Sequence, residues 1–198
     1  MKIYNKAKWI LGILMIFILI LATNLIDRNN FVRVKDSVVA IYEDRIVAND
    51  LIFEMSKAFQ EKEIAAIKVD STFFEQKNKS ININIKELVK KFHQTKLTLE
   101  ESKIFDNFEK NLNLLLESET LFIRSNFSNK KAYKDQIFKV KINLYNLSKI
   151  QLNEGKRQMS ISQKAIDTVE LFTQIEIYFL IFLAIVVQVV VMYSPKNE

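Results

Sequence analysis

Two uncharged, strongly apolar segments lie near the two ends of the chain, at residues 9–26 and 177–194. A helix of about 18 residues is about 27 Å long, which is close to the hydrocarbon thickness of a bilayer. We therefore predict two transmembrane helices at these segments. The predicted organisation is a tail (residues 1–8), a first span (9–26), an extramembrane domain (27–176), a second span (177–194) and a tail (195–198).

The polar domain between the spans has a helical pattern. It contains a single glycine, Gly155, and no proline, although sheets with tight turns usually need both. In segment 27–69, inward positions recur at alternating spacings of four and three, as in a packed helix. These positions are Val34, Val38, Ile41, Arg45, Ala48, Ile52, Met55 and Phe59.

Three further helices are predicted at residues 82–97, 99–125 and from 130 into the second span, with a loop at 70–80 and a turn at 125–129. The helix at 99–125 begins at a capping box, in which Thr98 and Glu101 satisfy each other's backbone N–H groups. Four helices with short connections form a bundle. The predicted fold is all-α: an antiparallel up-down-up-down four-helix bundle between two transmembrane helices, with long first and last helices.

A register for the first and last helices follows if both spans end at the same membrane surface. Phe59 then lies opposite Leu144, and Arg45 lies opposite Gln158, with Glu154 one turn away. A charge at an inward position should be paired, because its unpaired burial is costly. We predict a polar layer of Arg45, Glu154 and Gln158, which either fixes the register or forms a ligand-binding site.

The distribution of charge suggests the topology. The formal net charge is +6, and Lys2, Lys6 and Lys8 precede the first span. Positive residues flanking a span favour the cytoplasmic side, so both termini are expected in the cytoplasm and the middle domain in the periplasm or outside the cell. A cleaved signal peptide is the alternative for the first span, but 22–24 (ATN) is a poor cleavage site. The charges between the spans are mixed rather than clustered, which disfavours nucleic-acid binding.

Catalytic and metal-binding chemistry is not indicated. The chain has no cysteine and one histidine, His93, so a zinc site is not expected. Neither a phosphate-binding loop nor a nucleophile motif occurs, and we predict no enzymatic activity and no cofactor. The acidic residues Glu100, Glu101, Asp106 and Glu109 are expected on a solvated face. An aromatic cluster at one end of the bundle is expected from Phe73, Phe74, Phe127 and Tyr133.

Together, these features resemble the four-helix-bundle ligand-binding domain of bacterial methyl-accepting chemotaxis receptors. Segment 41–47 (IYEDRIV) is similar to a Tyr-x-Asp-Arg-Val-Val stretch on the family's first helix. The next four residues, Ala-Asn-Asp-Leu at 48–51, depart from the Pro-Leu that often follows in the family. Leu144, Leu147, Gln151 and Gly155 resemble a pattern on the fourth helix. No ligand-binding arginine of the family can be matched to this chain.

The resemblance implies a sensor in the bacterial inner membrane that forms a homodimer through its bundle and spans, binds a small ligand or a partner outside, and moves its second span. Since only residues 195–198 follow that span, we expect a stand-alone module without a linker or cytoplasmic signalling domain, which acts through another membrane protein. The alternative is a structural protein, a membrane-anchored bundle that docks a partner without binding a ligand.

Overall fold

The computed structural model describes residues 2–192, and it describes the side chains of residues 12, 14–186, 188 and 189. The predicted tail 195–198 and the last two residues of the second predicted span lie outside the described residues. The elements are α1 (Lys2–Ala40), the π-helical segment π1 (Ile41–Ile46), α2 (Val47–Lys68), the π-helical segment π2 (Phe73–Lys77), α3 (Asn78–Phe92), α4 (Leu99–Arg124) and α5 (Lys130–Met192). Residues 2–192 contain no strand, and the all-α prediction is confirmed.

The chain forms two compact units, of which the first is the four-helix bundle Val39–Gln158. Its helices are π1 with α2, π2 with α3, α4, and the N-terminal part of α5. The predicted up-down-up-down bundle with long first and last helices is confirmed. Two helices in the described part of the chain are long and apolar enough to cross a membrane, as the two apolar segments predict.

A core of large apolar side chains holds the bundle together. Phe59, Phe92, Phe105 and Phe108 are almost fully buried. The same holds for four α5 residues that recur at spacings of three and four, Ile137, Val140, Leu144 and Leu147. The Phe59 and Phe108 rings meet edge to face, with centroids 6.3 Å apart. Because α2 and α4 are diagonal in this topology, this contact lies across the centre of the bundle.

The predicted aromatic cluster forms at one end of the core. Phe74 contacts Phe73, Phe127 and Tyr133, with ring centroids 5.2, 5.6 and 6.1 Å away. Phe122 also belongs to the cluster, and its ring stacks on Tyr133 at 5.0 Å. These aromatic pairs close the end of the bundle that holds the α4–α5 turn.

The predicted loop at residues 70–80 is wrong. The first bundle helix ends at Val69, which has a left-handed backbone with φ of 56°, and helical structure resumes at Ser71. The backbone N–H of Phe73 donates to the Asp70 carboxylate at 3.0 Å. Asp70 is therefore an N-cap, and the connection shrinks to Val69 and Asp70.

The π1 segment changes the pattern of inward residues on the first helix. The N–H of Val47 donates to the carbonyl of Tyr42, five residues back, which inserts one extra residue into the helix. Ser37 and Arg45 are both buried although they are eight positions apart rather than seven. The predicted inward position of Val38 is therefore wrong, and its side chain is 55% exposed.

The second unit comprises the described residues up to Val38 and from Met159 onward. On α1, the buried polar side chains are Thr23, Asn30 and Ser37, seven residues apart, while on α5 Ser162 and Ala165 are buried. The Thr23 hydroxyl donates to the carbonyl of Ile20 at 2.9 Å. A small side chain whose hydroxyl bonds its own helix, as that of Thr23 does, lets helices approach closely.

Candidate functional site

Two buried ion pairs join the first bundle helix to α4. Arg45 and Lys62 supply the cations, and Glu101 and Glu119 supply the carboxylates. The cations are 17 residues apart and the carboxylates 18, which corresponds to about 26 Å along a helix. Because these two helices run in the same direction in an up-down-up-down bundle, the similar spacings let both pairs form at once.

The first pair lies in a cluster formed by Arg45, Lys96, Glu101 and Gln151, which we call the Arg45 cluster. Arg45 Nη1 donates to Glu101 Oε1 at 2.6 Å and to Gln151 Oε1 at 3.1 Å. Its Nη2 donates to the carbonyl of Lys96 at 3.4 Å. Glu101 is fully buried, while Arg45 and Gln151 are 7% and 3% exposed. The cluster connects π1 with the α3–α4 loop, α4 and α5.

Glu101 also caps α4. Thr98 Oγ1 accepts from the Glu101 N–H at 3.2 Å, and the Thr98 N–H donates to Glu101 Oε2 at 2.5 Å. This confirms the predicted capping box. The expectation that Glu101 lies on a solvated face is wrong, because its side chain is buried and its Oε1 accepts from Arg45.

The Arg45 cluster has unused donors. Among the described residues, Arg45 Nε and Gln151 Nε2 are buried and have no hydrogen-bond partner. Buried polar groups normally have a partner, and each one left without costs about 1–3 kcal/mol. The hydrogen bonding of the Arg45 cluster is therefore incomplete within the described part of the chain.

The second pair lies in a cluster of Lys62, Asn78, Asn82, Glu119 and Tyr133, which we call the Lys62 cluster. Glu119 Oε2 accepts from Lys62 Nζ at 2.5 Å and from the Tyr133 hydroxyl at 2.8 Å. Glu119 Oε1 accepts from Asn78 and Asn82 at 2.7 and 2.8 Å. Lys62 also donates to Asn78 Oδ1. The other three bundle helices thus each contribute at least one donor to this α4 carboxylate.

Burial and charge shift the pKa values in the Lys62 cluster. Burial lowers the pKa of Lys62, and the adjacent Glu119 carboxylate only partly offsets this. Burial alone would raise the pKa of Glu119, but the Lys62 charge and the donated hydrogen bonds outweigh it and lower that pKa. Burial and the Glu119 charge both raise the pKa of the Tyr133 hydroxyl. The carboxylate is therefore held ionised, and Tyr133 is held as a donor.

The predicted polar layer differs from the observed one. Arg45 bonds Gln151 rather than Gln158, and Glu154 pairs with Arg157 on its own helix at 2.7 Å. The first and last bundle helices are thus shifted by about two turns from the predicted register. A shift of seven residues brings equivalent heptad positions together again, so apolar matching alone does not distinguish the two registers. Ligand binding at this layer stays a prediction.

A groove of about 270 Å³ runs between α2 and α5 within the bundle. Its lining residues are Asn49, Ile52, Phe53, Ser56, Lys141, Leu144, Tyr145 and Ser148. Ser148 donates to Asn49 at 2.8 Å. Phe53 is 63% exposed and Tyr145 is 69% exposed, so the groove is bordered by large apolar side chains that face solvent.

The remaining candidates do not form a reactive site. His93 is exposed and lies 2.9 Å from Glu109 Oε1, with its ring against Phe105. Among the residues whose side chains are described, no three or more His, Asp or Glu residues are grouped so that they could hold a metal ion. Sequence reasoning missed Lys62 and Glu119, although both continue the inward heptad positions of their helices, three residues after Phe59 and four after Leu115.

Most of the chain matches a known protein family. The model of a family described as a four-helix-bundle sensory module for signal transduction matches residues 1–166. No curated protein and no solved structure gives a significant match. The match covers the whole bundle, including both buried clusters. The chain therefore belongs to the family of four-helix-bundle sensory modules for signal transduction.

Proposed function

We propose that the chain is an inner-membrane sensor whose bundle lies outside the membrane and detects a small ligand or a partner there. Helix α5 supports this proposal most directly, since it runs without a break from Lys130 in the bundle to Met192. The first helix is likewise continuous through π1 to Lys68, apart from its π-helical hydrogen bonds. An unbroken helix transmits a displacement because its backbone hydrogen bonds resist compression. The sensor would act on a second membrane protein that carries the signalling output.

We further propose that the sensor is a homodimer that pairs through the face carrying the groove. Phe53, Tyr42 and Ile46 are exposed on the first bundle helix, and Tyr145 and Leu152 are exposed on α5. Exposed apolar patches mark interaction surfaces. Two copies anchored in one membrane with the same topology are related by a twofold axis along the membrane normal. The two first helices would then run parallel, and Asn49 would meet its own copy, an arrangement that favours dimers.

Cysteine crosslinking tests the dimer directly, because the chain has no native cysteine. We expect Phe53→Cys to form a disulfide-linked dimer in membranes under mild oxidation. Leu114→Cys, on α4 and 46% exposed, is the matched control and should stay largely monomeric. Equal crosslinking at both positions would contradict the proposed face.

A chimera tests the sensing role. Residues 1–192 would replace the sensing half of a chemotaxis receptor, and kinase activity would be measured before and after the Phe53→Cys disulfide forms. We expect activity to change with the disulfide and to recover on reduction, because constraining the bundle biases one of two helix arrangements. Complete crosslinking with unchanged kinase activity, in a chimera with normal basal activity, would refute transmission through these helices.

A further inference from the structure

Polar side chains within the two predicted spans differ in how their hydrogen bonds are satisfied. On α1, the Thr23 hydroxyl and the Asn24 amide donate to the carbonyl of Ile20, at 2.9 Å in both cases. Asn24 also lies close to water, because its predicted span ends two residues later. On α5, Gln188 is exposed, and within residues 2–192 no hydrogen bond satisfies its amide. Gln188 therefore needs a partner from outside the described chain.

Gln188 lies too deep in its span to be satisfied by water. It is about 4 Å from the middle of segment 177–194, and the hydrocarbon layer extends about 15 Å to either side of its centre. Lysine and arginine reach the membrane surface from within a span because their side chains are long, whereas glutamine is shorter. Its amide oxygen finds no donor on α5 either, since the backbone N–H groups of this unbroken helix are already used. A second helix in the membrane is the remaining source of a hydrogen bond.

The exposed amide faces away from α1. Phe179 and Leu183 are half-buried, and they mark the side of α5 that faces α1, the other helix of this compact unit. At about 100° per residue, Gln188 is about 180° around the helix from Phe179 and about 140° from Leu183. Ala184, one turn before Gln188, is exposed on nearly the same side. A small residue beside a polar one lets another membrane helix approach closely and form a hydrogen bond.

A second copy of the chain offers the matching partner at the matching depth. An amide both donates and accepts, so two glutamine side chains satisfy each other. Two copies that cross the membrane with the same topology are related by an axis along the membrane normal, which gives their Gln188 residues equal depth. Another membrane protein would have to carry a polar side chain at that depth. We infer that the second spans of two copies pair through Gln188, whose amide bonds the same amide of the second copy. This inference rests on the proposed membrane topology and does not depend on the groove.

Disulfide crosslinking of the full chain in its membrane tests the contact, because the chain has no native cysteine. Ala184→Cys lies on the proposed contact side, and Leu183→Cys, on the side that faces α1, is the control. Two differently tagged copies would be produced together, so that a link between two copies of this chain is recognised. We expect Ala184→Cys to link the two tags and Leu183→Cys to leave them largely separate. Equal linking at both positions, or a link from Ala184→Cys to a different protein, would overturn the inference.

Removal of the amide tests the hydrogen bond itself. Energy transfer between labelled full chains in lipid vesicles, measured as the vesicles are diluted with lipid, gives the dissociation constant of the dimer. We expect Gln188→Leu to raise this constant about three- to fifteenfold. Gln174→Leu makes the same change on α5 at an exposed position ahead of the predicted span, and it should leave the constant unchanged. An unchanged constant for Gln188→Leu would contradict the amide pair.

Thiol labelling separates a failure of this inference from a failure of the proposed topology. Gln188→Cys should resist a water-soluble maleimide, since the thiol lies within the hydrocarbon layer. Rapid labelling would place residue 188 in water and would overturn both the pairing and the second span. Protection of Gln188→Cys without an Ala184→Cys crosslink would keep the span and refute only the pairing. A Phe53→Cys crosslink in the absence of an Ala184→Cys crosslink would likewise keep the groove-side dimer and refute the pairing of the spans.

Discussion

The Arg45 and Lys62 clusters join the same two helices with the same kind of ion pair, but they differ in how the charges are satisfied. In the Lys62 cluster, one carboxylate accepts from Lys62, Tyr133, Asn78 and Asn82. In the Arg45 cluster, Glu101 accepts one side-chain bond and one backbone bond, and two neighbouring donors remain unused.

This difference separates a structural role from an adaptable one. A buried ion pair compensates for its desolvation only when further hydrogen bonds satisfy its remaining atoms. In the Lys62 cluster both charged groups meet this condition with side chains from all four helices, although Asn82 Oδ1 is buried without a partner. We therefore expect this cluster to fix the relative positions of the helices. The Arg45 cluster meets this condition incompletely, because two of its buried donors have no acceptor. A rearrangement that supplied an acceptor would therefore stabilise this cluster more than the Lys62 cluster.

The largest expected effect is that of Glu119→Gln. The substitution leaves the Lys62 ammonium buried without a counter-charge, which costs about 3–5 kcal/mol of stability. Chemical denaturation of the full chain in micelles, followed by far-UV circular dichroism, measures the loss. Glu117→Gln, two residues away and exposed, is the control and should change stability little. A loss below about 1 kcal/mol for Glu119→Gln would show that the cluster does not hold the bundle.

Acidification should remove the same charge more gradually. Because the folded-state pKa of Glu119 lies below its ordinary value, the ionised carboxylate stabilises the fold at neutral pH. That contribution is complete above the unfolded-state pKa and is lost as the pH falls through the folded-state pKa. The difference in stability between the unmodified chain and Glu119→Gln should therefore narrow in acid. If the free energies of unfolding of the two proteins changed in parallel with pH, the ion pair between Lys62 and Glu119 would be contradicted.

Glu101→Gln should cost less, about 2 kcal/mol. Glutamine can still cap the helix, and Arg45 keeps its bonds to Gln151 and Lys96. The same denaturation measurement applies, with Glu100→Gln as the exposed neighbouring control. If Glu101→Gln destabilises as much as Glu119→Gln, the two clusters are energetically equivalent and the proposed contrast fails.

Tyr133→Phe should have the smallest effect, about 1 kcal/mol. It removes one of four hydrogen bonds to Glu119 and preserves the ring that stacks on Phe122. Tyr145→Phe, at an exposed position, should be neutral in a parallel measurement. A larger loss than that of Glu101→Gln would mean that the neutral donors, rather than the ion pair, dominate the Lys62 cluster.

Sequence patterns predicted the helices better than the contacts between them. The scarcity of glycine and proline, together with the heptad spacing, indicated four helices, and the Thr98–Glu101 capping box marked the start of α4 to the residue. These signals are local and involve neighbours along one helix. The N-cap at Asp70 is equally local, but the polar composition of segment 70–80 favoured a loop despite Phe73 and Phe74.

The buried clusters were harder to predict because their partners lie on different helices. Glu101 and Glu119 occupy the same heptad series as Phe105, Phe108 and Phe122, but acidic residues among lysines are ordinarily solvated. Their burial follows only once Arg45 and Lys62 are placed beside them. The register between the first and last bundle helices, which would place these residues, is ambiguous by seven residues. The structure shows this, because Arg45 bonds Gln151 instead of the predicted Gln158.

The π1 segment has a consequence for how the sequence can change over time. A π-helical turn accommodates one residue more than an α-helical turn, so π1 can be regarded as a tolerated insertion within an otherwise heptad-based helix. Deleting one residue from its exposed positions, such as Glu43, would return the turn to α-helical geometry and restore seven-residue spacing between Ser37 and Arg45. Length variation among relatives should therefore concentrate at this turn, whereas a deletion within α2 would displace every core residue beyond it.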